Sequence, residues 1–133
     1  MNQPIVEEKR QCKRYLCDSF FSDSYVKTEE KEFQITAIDF SKEGMGFFCS
    51  DFIPELVDFK LCFRYSKPEF DYSFEELDCV LVHSNITEVG SHFGLVFILS
   101  KLSDSDKQAL TTIEKILNKQ DDPEDRYHLF MEE

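Results

Sequence analysis

Between Val57 and Tyr65 every second residue is large and apolar: Val57, Phe59, Leu61, Phe63 and Tyr65 alternate with Asp58, Lys60, Cys62 and Arg64. A repeat of two commits the segment to an extended strand with one face in a core, because a helix would scatter these side chains around its axis. Such a strand needs partners, since an isolated strand or hairpin is at best marginal in water. Candidates are present. Phe33, Ile35 and Ala37 alternate with Gln34 and Thr36, the segment from Asp39 to Gly44 is rich in turn formers, and residues 46–49 read as the next strand. Residues 79–86 and 93–99 are further apolar runs, and the four residues Thr87, Glu88, Val89 and Gly90 between them suit an antiparallel hairpin. Residues 15–26 are one more strand candidate.

After the last strand the pattern changes. Ser103 is a good N-cap, Asp104 and Asp106 suit the positive end of a helix, and Leu110, Ile113 and Leu117 share one face, which predicts a helix over 103–119. Asp121, Asp122 and Pro123 then stop it. Five or six short antiparallel strands followed by one helix imply an all-β dominated fold, a small six-stranded antiparallel β-barrel with the C-terminal α-helix packed over it. The chain has 133 residues, the size of one domain. Its expected organisation is a flexible N-terminus over 1–7, a folded domain over 8–119 and an acidic tail over 120–133, where Tyr127, Leu129, Phe130 and Met131 form an apolar patch.

Charge and cysteine use exclude several functions. A net charge of −12 repels polyanions, so neither DNA nor RNA is an expected partner. No apolar run approaches the length needed to cross a bilayer, and the first residues are polar and charged, so membrane insertion is not expected and the expected compartment is the cytoplasm. The five cysteines, Cys12, Cys17, Cys49, Cys62 and Cys79, lack zinc-knuckle spacing and read as reduced thiols, the last three behaving as small hydrophobes. No metal site and no cofactor is indicated.

Two short segments stand out from this background. Lys9-Arg10-Gln11-Cys12-Lys13-Arg14 places four cations within six positions of an acidic chain, and Arg10 and Arg14 are two of its four arginines. A guanidinium can grip a phosphate bidentately, face the O6/N7 edge of a guanine, or stack on a base. Taken alone, the segment also reads as a solvated basic edge. The other segment is Asp39-Phe40-Ser41-Lys42-Glu43-Gly44. There the Asp carboxylate can accept the N1 and N2 hydrogens of a guanine, the Ser hydroxyl can donate or accept, and Gly44 lets backbone and ligand approach closely. Taken alone, it also reads as an ordinary turn whose Gly44 supplies a positive φ.

In this order the two segments resemble the signature of the PilZ domain family, RxxxR followed some tens of residues later by [D/N]xSxxG. A joint match by chance is expected in on the order of one shuffled sequence in a thousand. Gly94-Leu95-Val96-Phe97 is similar to the family's late Gly-x-x-Phe strand, and the resemblance covers roughly residues 8–119. It implies a receptor for the bacterial second messenger cyclic di-GMP. Arg10 and Arg14 would contact phosphates and guanine edges, Asp39 and Ser41 would read a guanine, Gly44 would shape the turn, and Lys9 would add a further contact. It also implies that ligand contact draws the N-terminal segment against the barrel and presents a new surface to a protein partner. The alternative is a PilZ-like interaction adaptor with weak or no nucleotide binding. An enzyme is not expected: His83, His92 and Cys79 include a base and a nucleophile by type, but no third group stands at a recognisable spacing to orient them, and His128 with the tail carboxylates is no better as a metal site.

Overall fold

The computed structural model describes residues 13–51 and 59–120. Lys9, Arg10, Cys12, the N-terminus 1–7, His128 and the tail from 121 lie outside the described residues, as do Val57 and Asp58.

Among the described residues eight strands form one antiparallel half-barrel, not the six-stranded closed barrel expected: β1 (Tyr15–Leu16), β2 (Phe21–Lys27), β3 (Glu32–Gln34), β4 (Thr36–Ser41), β5 (Gly44–Cys49), β6 (Lys60–Lys67), β7 (Phe70–Ile86) and β8 (Ser91–Phe97). Their order is β1-β4-β5-β8-β7-β6-β2-β3. The count differs because the single strands expected at 15–26 and 33–37 are each broken in two, into β1 and β2 and into β3 and β4. Ile35 alone separates β3 from β4, and its N–H donates to the Ser24 carbonyl of β2. The 17-residue β7 pairs with β6 through its first half and with β8 through its second. Its first half, residues 70–78, was outside the expected strands because the run Phe70, Tyr72, Phe74 loses phase at Glu76, a bulge position held at φ 55°.

The concave side holds one aromatic core. Phe40, Phe47, Phe63, Tyr65 and Phe74 are essentially inaccessible, and the rings of Phe63 and Phe74 stack at 4.5 Å. The helix, α1 (Asp104–Gln120), adds Ala109, Leu110, Ile113 and Leu117 to the same core, and the amide of Asp106 donates to the Ser103 hydroxyl at 3.0 Å, completing the expected cap. It packs against β1 and β4, where the backbone N–H of Lys42 donates to the Glu114 carboxylate at 3.0 Å. Cys49, Cys62 and Cys79 are buried free thiols, as their apolar surroundings predict.

Candidate functional site

The motif around Asp39 is less of a turn than its composition suggests. Asp39, Phe40 and Ser41 belong to β4, Gly44 already belongs to β5, and only Lys42 and Glu43 form the turn between the paired residues Ser41 and Gly44. A bulge decides which way these side chains point. Thr36 pairs with Phe48 and Ala37 with Phe47, but Asp39 is the next to pair, with Gly46, so Ile38 is an extra residue in β4. In an unbroken strand Ile35, Ala37, Asp39 and Ser41 would share a face, and the carboxylate would enter the core. With Ile38 inserted, Phe40 turns inward at 0% exposure and Asp39 faces the convex side.

Registers across the sheet lay out that convex face in rows. One row runs Leu16, Asp39, Gly46, Gly94, His83, and the next runs Thr36, Phe48, His92, Asn85. Gly46 and Gly94 leave bare backbone in the middle. Above it opens a cleft of about 350 Å³, with Arg14 and Asp39 on one side and His83, Asn85 and His92 on the other.

Arg14, immediately before β1, reaches over the sheet. Its Nη1 donates to Asp39 Oδ1 at 3.1 Å and its Nη2 to the Leu95 carbonyl of β8 at 3.0 Å. The side chain is only 8% exposed, against 27% for Asp39. Among the described residues these bonds use two of the five guanidinium N–H donors. Two glycines make the pairing possible: a Cβ on Gly44 would run into the Leu95 carbonyl and come within 2.7 Å of Arg14 Nη2, and a Cβ on Gly46 would lie 2.5 Å from Asp39 Oδ1. Gly44 is therefore demanded by space, and it does not adopt the left-handed conformation its turn position suggested. Ser41 is 2% exposed, and its hydroxyl accepts the Glu43 N–H at 3.1 Å. Beside this cluster, burial first, and then the carboxylates of Asp39 and Asp18, push the Cys17 thiol upward, while Arg14 pulls it down.

Of the residues singled out in sequence, Arg14, Asp39 and Gly44 meet at one place. Ser41 stands at the same hairpin with its hydroxyl engaged in the turn, and Arg10 and Lys9 lie outside the described residues. The far side of the cleft was not anticipated, because His83 and His92 look incidental in the sequence. A hairpin turn at 87–90 is enough to place Asn85 opposite His92, but the placement of His83 depends on a bulge at Val82 that no spacing announces. Burial, with Asp78 adding to it, pushes the Cys79 thiol up to about 12, which disfavours its thiolate. Among the described residues no group of His, Cys, Asp and Glu converges to hold a metal ion, and no helix is long and apolar enough to cross a membrane.

No family model and no curated protein matches this chain in sequence. In three dimensions it is similar to the PilZ domain with c-di-GMP of YcgR from Escherichia coli, with a TM-score of 0.50 and 12% identity over 84% of this chain and 93% of that one. The fold is PilZ-like.

Proposed function

We propose that this protein is a non-catalytic receptor for cyclic di-GMP. The assignment is carried by Arg14 bonding to Asp39 beside Gly44, at the edge of the cleft, although the two charged residues are 25 positions apart in sequence and belong to separate motifs. Support comes from the likeness of the fold to a domain whose structure carries c-di-GMP. In this role Arg14 takes a phosphate or a guanine O6/N7 edge, Asp39 accepts from guanine N1 and N2, and Ser41 and Gly44 complete the hairpin side. Arg10 and Lys9 add cations from the preceding segment. The net charge of −12 does not forbid a dianionic ligand, because charges beyond about 8 Å are largely screened at physiological salt. Arg14 is already held to the sheet, so in this reading the conformational change on ligand binding belongs to the segment before it, and that segment then forms the surface a cytoplasmic protein partner reads.

Isothermal titration with cyclic di-GMP, beside GTP and cyclic di-AMP, tests this directly. Saturable heat is expected for cyclic di-GMP, and Arg14→Ala should weaken it about tenfold or more, the loss of one charged contact worth roughly 1.5–3 kcal/mol. Arg14→Lys, which keeps the charge without the fork, should fall between. A flat titration of the folded wild-type protein sinks the assignment.

A second reading has its own support: Arg14 is bonded inward, and Val80, Val82 and Ile86 of β7 are 48%, 58% and 53% exposed. In an interaction adaptor Arg14 would be a staple for residues 13–16, and its loss would lower the melting temperature with no nucleotide giving heat.

A further inference from the structure

We propose that the apolar groove between the start of α1 and the β4–β5 hairpin is the docking site of this chain's own C-terminal segment, with Tyr127, Leu129, Phe130 and Met131 as its anchors. The groove has a volume of about 330 Å³ and lies between Leu99 and Leu102 after β8, Leu110 and Thr111 of the helix, and the turn residues Lys42 and Glu43. Leu102 and Leu110 belong to the buried core, whereas Leu99 is 44% exposed. A lone exposed leucine is ordinary on a protein surface, but one at an apolar groove offers a contact that further apolar side chains complete.

Reach and charge select the occupant. α1 ends at Gln120, and the groove residues Thr111 and Lys107 lie 9 and 13 positions back along it, about 14–20 Å at 1.5 Å per residue. An extended chain covers about 3.3 Å per residue, so Tyr127 can return about 23 Å from Gln120 and Met131 about 36 Å. The tether therefore brings the anchors level with the groove. The inclined i+4 row of α1 that leads there from the helix end reads Lys119, Lys115, Thr111, Lys107, with no carboxylate in it. The ammonium groups of these lysines and of Lys42 make no ion pair with any described residue. Between helix and anchors stand Asp121, Asp122, Glu124 and Asp125 against one cation, Arg126, so the returning segment lays acids along a row of lysines. Two carboxylates stand nearby, Glu43 at the groove and Glu114, which accepts the Lys42 N–H. A tethered segment meets its site at an effective concentration on the order of 1 mM, so a contact with a Kd of about 100 μM keeps the groove filled about nine times in ten. Docked there, the segment touches the turn of the hairpin that carries Asp39 and Gly44, whatever that hairpin binds.

NMR on the full chain tests this. Wild type should show nuclear Overhauser contacts between the Phe130 ring and the Leu99 methyls that survive tenfold dilution. In Leu129→Ser/Phe130→Ser the Leu99, Leu102 and Thr111 signals should move, while those of Val26 and Phe63 stay in place. Lys107→Glu/Lys115→Glu should weaken the Phe130–Leu99 contacts at least about threefold, as should about 0.5 M salt. Absent contacts, with Leu99, Leu102 and Thr111 unmoved in the tail variant, overturn the proposal. So do contacts found only between differently labelled molecules and lost on dilution, which give the groove to a second copy. Contacts at full strength in the charge-reversed variant overturn the pairing of acids with lysines that selects this segment.

Discussion

Gly44 and Gly46 differ in what stands over them, and that difference predicts different outcomes. An added methyl at Gly44 meets the carbonyl of Leu95, part of the neighbouring strand, which can yield only by moving β8. At Gly46 it meets the end of the Asp39 side chain, which can rotate away. Gly44→Ala should therefore cost about 1–3 kcal/mol of stability in urea unfolding, as overpacking does. Gly46→Ala should cost less stability but expel Asp39 from Arg14, and so weaken cyclic di-GMP binding in the titration described above. Equal urea midpoints for wild type and Gly44→Ala would show that the space is not needed.

Elements place the site through irregularities in regular strands. Ile38 in β4 and Val82 in β7 are each one residue too many, and each reverses the side to which the following residues point. The hairpin between β4 and β5 is in turn tied to α1, since the Lys42 N–H donates to Glu114 rather than to water. Glu114→Ala should remove that tie and speed hydrogen exchange of the Lys42 amide by about tenfold or more, a bond to a charged acceptor being worth roughly 1.5–3 kcal/mol. Exchange of the Leu95 amide in the interior of the sheet should be unchanged. Unaltered exchange at Lys42 would mean that the helix does not brace the hairpin. At the other end of α1, Ser103→Ala removes the cap of Asp106 and should lower stability by about 1 kcal/mol, read as a small fall in melting temperature.

For the whole molecule the single core sets the response to pH. Burial raises the Cys79 thiol from its ordinary 9.0 to about 12, and it also raises the thiols of Cys17 and Cys49 and the Tyr65 phenol, which donates to Asp18 at 2.8 Å. Each group keeps its proton in the folded state at a pH where the unfolded chain releases it. Their contribution is thus complete below about pH 9 and is lost as pH rises towards about 12. The urea midpoint should hold steady up to about pH 8.5 and fall beyond it, and Cys79→Ala should make that alkaline fall shallower. A midpoint independent of pH up to 11 would contradict the burial of these groups.

Apolar alternation, apolar runs and capping residues were sufficient to identify β6, the hairpin of β8 with the second half of β7, and the capped helix, because period and capping chemistry act over a few neighbouring residues. The paired motifs were likewise sufficient to single out Arg14, Asp39 and Gly44 before any coordinates. What only the tertiary structure decided is which face each residue serves. A bulge has no local signature, and parity along a strand changes whenever one residue is left unpaired, so Asp39 and His83 could not be turned outward from the letters alone. The same holds for the eight-strand count and for the meeting of Arg14 with Leu95, 81 positions away, which depend on pairings between distant segments that exist only once the sheet has curled.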